Sequence, residues 1–366
     1  MDDAALRNWL AAALRSGRPP PLSDSVTGQQ LLEAAEREGV TALLEARLRT
    51  EGGWAALTDD QRDALQAQAR GLAAQWLLRA DELRQIEQVL AAAGLRALLL
   101  KGSALSLWLY PQPFLRMGGD IDLLLESHSA VARATETLAA QGYAPVFEPG
   151  DTHFEWTLRR SVDGVMRSEL DLHSRLLNVA AYAETFSFDE LWAEAQSLPG
   201  MDAVLRALSA RHALAHACLN RALDMQNAIP DRLKLLYDLR LLAARSGAQE
   251  WDELCTLAEE RRIAGVCLRS LDDAARTLGA EIPAEVSAHL RTLAASEPLD
   301  ASRLADWRYM QWQNLRALPT FSARLHWLRQ RLFPGAAQLR ELYGDGPVVL
   351  LWVRRLKRGL ARMLTL

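Results

Sequence analysis

Lysine is almost missing from this chain: of 42 basic residues only Lys101, Lys234 and Lys357 are lysines, and the rest are arginines. Against them stand 46 acidic residues, for a formal charge of −4. No strongly basic surface is forced on the molecule, which disfavours nucleic acid as its ligand. Cysteine is scarce too. Cys218, Cys255 and Cys267 are unevenly spaced in apolar contexts, and no Cys-x-x-Cys occurs. Buried free thiols in a reducing compartment are expected, not a disulfide framework. The absence of any run of 18 apolar residues argues against a membrane-spanning helix. The opening Met1 to Leu10 lacks a basic and then apolar leader pattern, so the cytoplasm is the expected location. Aromatic residues make up 7%, and the tryptophans are scattered from Trp9 to Trp352. Such scatter suits core packing better than a stacking platform.

What is present is enough apolar sequence for a large core: 366 residues, 49% of them hydrophobic. That length suits two or three domains. Residues 1–93 carry helical periodicity, as in Leu6, Trp9, Leu10 and Leu14, broken at Pro19, Pro20 and Pro21. Two helical stretches follow, Gln29 to Arg49 and Asp59 to Leu90, the second with Asp59 or Asp60 as its cap. Residues 94–185 read differently. Leu95 to Leu100, Ile121 to Leu125, Tyr143 to Phe147, His153 to Leu158 and Val165 to His173 predict about five strands. Asp163-Gly164 marks a hairpin between the last two. Helices are expected at Ser103 to Tyr110 and at Ser127 to Ala140, the latter capped by Ser127. Residues 186–366 return to helical periodicity, with helices expected at about 203–219, 231–246, 249–261, 264–278, 298–317, 321–332 and 346–364. The fold class is therefore α+β: a small mixed sheet embedded between N-terminal helices and a larger C-terminal helical region.

Three sequence features carry chemistry. On a strand, Asp120 and Asp122 share one face, flanked by Ile121, Leu123 and Leu124, which are expected to point to the core. Two such carboxylates repel unless a cation lies between them, and magnesium suits oxygen ligands of this kind. Asp171, between Leu170 and Leu172, offers a third carboxylate. Three acids on adjacent strands can hold two metal ions for in-line attack on a phosphoryl group. Gly102-Ser103 follows a strand and opens a helix, where backbone amides and a hydroxyl can meet phosphate. Lys101 beside this turn either neutralises phosphate charge or is pointed elsewhere by strand alternation, and Arg116 in the following loop is a candidate second contact.

The ordered set resembles the nucleotidyltransferase superfamily with the polymerase-beta-like fold. Leu99-Leu100-Lys101-Gly102, Tyr110, Arg116, Asp120 to Leu124, Gly142-Tyr143 and Leu170 to His173 are similar to the bacterial family called uncharacterised nucleotidyltransferases. So are Leu236-Tyr237-Asp238-Leu239, Leu332-Phe333-Pro334 and Trp352 to Arg355, which spreads the likeness over roughly residues 75–360. The sixteen residues from Ala104 to Gly119 exceed the spacing of many superfamily members. The resemblance implies a nucleoside triphosphate, with ATP as default, held by Gly102 and Ser103. It implies Mg2+, as two ions replaceable by Mn2+, on Asp120, Asp122 and Asp171, with Asp171 helping to deprotonate the acceptor. The acceptor is not named by it: a small molecule, glycan, peptide or protein all fit. A catalytically weak nucleotide-sensing or partner-binding module is the alternative. No phosphate-binding loop or kinase signature is present, which sets kinase chemistry aside.

Other residues keep two readings. Glu169 shares the face of Asp171 and rivals it. His173 either contacts nucleotide or acceptor, or ends its strand near solvent. His212 and His216, four apart, share a helix face without a third zinc ligand; they pack on the sheet or line the cleft. Asp238, on an apolar helix, needs a partner such as Arg240 or Arg221, or a nucleotide. Trp108 and Trp156 flank the site in sequence as candidates to stack on a base. Val348 to Leu366 is a basic amphipathic helix, either a solvated face over the core or a contact for anionic lipid or an acidic protein surface.

Overall fold

The computed structural model describes residues 2–146, 155–163, 165–177, 180–201 and 203–364. Four helices come first: α1 (Asp3–Ser16), α2 (Gly28–Glu38), α3 (Thr41–Glu51) and the long α4 (Asp59–Ala92). The helical stretch expected from Gln29 to Arg49 is two helices, because Gly39 takes a left-handed φ of 69° and ends α2. Thr58, not Asp59 or Asp60, caps α4, in a reciprocal pair with Gln61. The Asp60 carboxylate instead accepts from the Gly28 amide of α2.

The sheet region follows as β1 (Ala97–Leu99), α5 (Lys101–Trp108), β2 (Ile121–Leu125), α6 (His128–Ala139), β3 (Tyr143–Pro145), β4 (Glu155–Val162), β5 (Val165–His173), α7 (Phe188–Ala193), β6 (Gln196–Ser197) and β7 (Leu205–Ala207). Ser127 caps α6 as expected. Phe147, His153, Phe154 and Gly164, which belong to the expected strands and hairpin, lie outside the described residues. The strand order is β3-β4-β5-β2-β1-β7-β6. β1 runs antiparallel to β2 and parallel to β7, and β2 runs parallel to β5. Seven strands thus form one sheet where about five were expected. The extra pair, β6 and β7, comes from residues 196–207, so the sheet draws in chain beyond residue 185. The helix expected at 203–219 starts only at Ala210 for the same reason.

The remaining helices are α8 (Ala210–Gln226), α9 (Leu233–Arg245), α10 (Ala248–Arg261), α11 (Ala264–Leu278), α12 (Ala284–Ala294), α13 (Trp307–Ala317), α14 (Phe321–Leu332), α15 (Ala336–Tyr343) and α16 (Val348–Leu364). Neither α7, α12 nor α15 is announced by its apolar pattern; α12 buries only Val286 and Leu290. The expected helix at 298–317 is confined to α13, after a 3-10 turn at Ala301–Arg303. Among the described residues, no helix is long and apolar enough to cross a membrane. All three cysteines are buried and free. Helix α16 buries Leu351 and sets Trp352 against Phe333, but leaves Val349, Leu350, Val353 and Leu356 exposed beside the exposed Arg354, Lys357 and Arg358.

Strand alternation divides the core. Leu99, Ile121, Leu123, Leu125, Leu170 and Leu172 face α4 and α6. Leu98, Leu100 and Leu124 face the other way, into one large cluster shared by α1–α3 and α8–α11. Asp122 has the parity of Leu124, so it points into the space between sheet and helices. The N-terminal helices thus form part of the wall opposite the sheet. Glu38 is one tie between them and the C-terminal region: its carboxylate accepts from the Leu233 amide at 2.8 Å and pairs with Arg7 at 3.0 Å. Removing a buried charged acceptor costs about 2 kcal/mol. Glu38→Ala should therefore lower the urea stability by roughly that amount, with Glu38→Gln less damaging. An unchanged denaturation midpoint for Glu38→Ala would contradict this tie.

Candidate active site

Parallel pairing of β2 with β5 places Asp122 opposite Asp171, and Leu124 opposite His173. Asp120 lies one step before β2 and is half-buried, whereas Asp122 and Asp171 are buried. One oxygen from each of the three carboxylates lies within 4.8 Å of the others. The Asp171 Oδ1 atom is buried and has no hydrogen-bond partner. An acceptor atom left so is costly unless a cation or donor meets it. The donor set, three carboxylates with one oxygen unsatisfied, fits a hard divalent ion.

Asp122 is held from two sides. The Lys101 ammonium donates to its Oδ1 atom, and His173 Nε2 lies 3.0 Å from the same oxygen. Burial alone would raise the Asp122 carboxyl, but Lys101 and then His173 outweigh it and hold it well below the usual carboxylate range. Burial likewise opposes charge on His173, yet its bond to Asp122 and the nearby Glu155 raise it above an ordinary imidazole. His173 is buried, so the reading that it ends its strand near solvent is corrected. Asp171 behaves oppositely to Asp122. Burial, then the charge of Glu155, pushes it up to about 7.

Lys101 reaches Asp122 because β1 turns abruptly into α5. The Leu100 amide still donates to the Asp122 carbonyl at 2.9 Å, and Lys101 then takes a left-handed φ of 50°. For a residue with a Cβ this conformation is uncommon and costs about 1 kcal/mol or more, a kind of strain that gathers at functional sites. Gly102 follows. A Cβ there would stand 2.5 Å from Arg116 Nη1, so the glycine makes room for that guanidinium. Ser103 is buried and its hydroxyl donates to the Asp120 carbonyl at 3.1 Å, which ties the helix start to the acidic strand.

Arg116 is buried with Asp238 of α9. Its Nε and Nη2 atoms meet both carboxylate oxygens at 2.7–3.0 Å, and Tyr110 donates to Oδ1 at 2.7 Å. The partner of Asp238 is therefore Arg116. Neither Arg240, which donates to the Leu14 carbonyl, nor Arg221, which pairs with Asp231 and Asp273, serves it. Glu169 stands apart from the three acids and pairs with Arg159 across the hairpin at 2.6 Å. His216 of α8 is buried with Nε2 unpartnered. Burial and then Lys101 pull it down to about 3, so it is neutral. It lines a cavity with Lys101, Gly102, Trp108, Arg116 and Asn220. His212 instead meets Ser209 at 3.0 Å. Trp156 has the strand parity of Leu172 and packs edge-on to His128, on the face away from the acids. Sequence reasoning missed Glu155, whose place is set by its pairing opposite His173 on the neighbouring strand.

A mixed sheet carrying an acidic trio beside a strand-to-helix turn defines a nucleotidyltransferase-like protein. Residues 24–279, well over half of the chain, match the family described as uncharacterised nucleotidyltransferase, and the chain belongs to that family. Among solved structures it is similar to an antigenic nucleotidyltransferase-like protein from Paracoccidioides brasiliensis, at 17% identity and a TM-score of 0.35 over 57% of this chain and 97% of that one. No curated protein matches the chain.

The raised Asp171 carboxyl sets the pH response. A metal needs it ionised, so binding must expel a proton whenever the site starts protonated. Its folded value of about 7 exceeds the unfolded 3.8. The metal-free fold therefore draws stability from Asp171 at low pH and loses it as pH rises through 7. Mn2+ affinity should climb as pH rises from about 6 and level off above about 7.5, with proton release in calorimetry at the lower values. Asp171→Asn should abolish that release; an affinity independent of pH in the wild type would contradict the assignment.

Proposed function

We propose that the protein is a divalent-metal-dependent nucleotidyltransferase that moves a nucleoside monophosphate from a nucleoside triphosphate, ATP by default, to an acceptor hydroxyl or phosphate. The observation that carries this reading is the trio Asp120, Asp122 and Asp171 within 4.8 Å, with Asp171 Oδ1 buried and unpartnered. Asp120, Asp122 and Asp171 would hold two ions. Magnesium, or manganese in its place, would neutralise charge at the α-phosphate and make the acceptor more acidic. Asp171 takes the acceptor proton. The acceptor oxygen forms a bond to the α-phosphorus as the bond to the β-phosphate oxygen breaks, and pyrophosphate leaves. Lys101 exchanges Asp122 for the incoming phosphates. The α5 amides beside Gly102 and Ser103 face the same charge. Arg116, fixed by Asp238, sets the position of this turn. His173 stays on Asp122 and orients it.

One observation favours a second reading. The Lys101 ammonium sits on the carboxylate that a metal would use, as it would in a sensing module that binds nucleotide without turnover.

Thermal melting separates the two. Ligand at about 100 times its Kd stabilises by roughly 2.7 kcal/mol, enough to move the melting point by a few degrees. Wild type and Asp120→Ala are compared with ATP, GTP, CTP and UTP, with and without magnesium. The enzyme reading expects a magnesium-dependent shift with at least one nucleotide, lost in Asp120→Ala. A shift independent of metal supports the sensing module, and no shift with any nucleotide removes both.

A further inference from the structure

A second cavity, of about 280 Å³, opens among α2, α3, α4, the segment before β2 and the start of α9. It has no lining residue in common with the cavity at Lys101 and His216. The segment 114–118 separates them: Arg116 lines the first, while Phe114, Leu115, Met117 and Gly118 line the second. The far wall of the second carries Arg232 and Lys234. Two of the three lysines thus belong to the two cavities that flank this segment.

Most nearby acids have other work, and Asp224 and Asp120 act on these cations only as longer-range charges. Asp231 is taken by Arg221, Asp238 by Arg116, and Glu38 by Arg7 and the Leu233 amide. Glu36, the one acid lining the cavity, accepts from Gln68 at 2.7 Å. Among the described residues neither Arg232 nor Lys234 has an ion-pair partner. Lys234 is moreover brought down to about 8, by burial first and then by Arg116 and Arg232, with Asp238 and Asp120 too weak to restore it. Two cations face a space whose lining offers a single acid, Glu36, with which neither of them pairs, and Asp120 is near enough for Lys234 to feel it. A cavity of this size holds several waters, and so has room for a phosphate group.

We propose that this cavity binds the phosphate of a phosphate-bearing acceptor, with Arg232 and Lys234 as its ligands. The assignment rests on the nucleotidyltransferase reading and names its missing acceptor class. The donor triphosphate lies at the Lys101–Gly102 turn on one side of segment 114–118. The acceptor's phosphate lies on the other side, and both reach Asp120 and its partners from opposite walls. Arg232 supplies a planar fork of donors and Lys234 a point charge, a pairing suited to a phosphate dianion.

The test uses inorganic phosphate as probe, followed by phosphorus NMR, with the full chain in magnesium and a saturating non-hydrolysable nucleoside triphosphate analogue. Wild type should bind phosphate. Lys234→Gln should weaken it by about ten-fold or more, and Lys234→Arg should retain most of it. Melting curves check the fold: removal of an unpaired, half-buried cation should leave the melting point level or raise it. Analogue affinity is measured in parallel. If Lys234→Gln weakens the analogue instead of phosphate, the cavity belongs to the donor's triphosphate and the acceptor assignment is overturned. Equal phosphate affinity in wild type and Lys234→Gln overturns it as well, as does a wild type that binds no phosphate. A wild type that binds phosphate at Lys234 but no nucleotide defeats the nucleotidyltransferase reading, and the acceptor role with it, while the phosphate site itself stands.

Discussion

Everything at the acidic site depends on keeping Asp122 ionised while it is buried. A lone carboxylate in that position would cost several kcal/mol and would take up a proton instead. Lys101 and His173 prevent this by meeting the same oxygen. The other two acids follow from that choice. Asp120 keeps contact with solvent. Asp171, buried beside Glu155, has no such cation and sits near neutrality in its titration. One strand pair therefore holds a carboxylate fixed in charge next to one poised to exchange a proton. Two carboxylates whose environments push their titrations apart are suited to different roles.

The second constraint is the Arg116–Asp238 pair. It spans 122 positions of sequence and joins the segment before β2 to α9. Because both side chains are buried, the pair has to form in full or not at all, since either partner alone would be an uncompensated charge. It fixes three things at once. Arg116 fills the space over Gly102, so the α5 turn is set. Asp238 holds Tyr110 at the end of α5. Lys234, one turn earlier on α9, and Arg232, just before that helix, are thereby placed across from segment 114–118. The helical region is thus part of the site and not merely a neighbour.

Much of this was legible from short-range pattern. Alternation showed that Asp120 and Asp122 share a face, and the Leu-Asp-Leu run marked Asp171 as a strand acid. The parallel register that brings Asp122 and Asp171 together depends on strands nearly fifty positions apart, and no local signal encodes it. β6 and β7 are two and three residues long, too short for a period of two to show. Arg116 and Asp238 were each visible as polar residues in need of explanation, yet nothing in sequence told that they explain each other. Lys101 looked like a phosphate contact beside a turn. Its left-handed backbone, which sends it to Asp122 instead, is a property that composition does not reveal. Arg232 and Lys234 lie next to an obvious acid, Asp231, and only the fold shows that Arg221 has already claimed it.

The central claim is that the three carboxylates form a metal site for which the Lys101 ammonium stands in. Titration of Mn2+ against the free-ion electron paramagnetic resonance signal, on wild type, Lys101→Met and Asp122→Asn, tests it most directly. The account predicts saturable binding in wild type, tighter binding in Lys101→Met because the competing cation is gone, and loss of binding in Asp122→Asn. Saturable binding that is the same in all three proteins, or none in folded Lys101→Met, would contradict it.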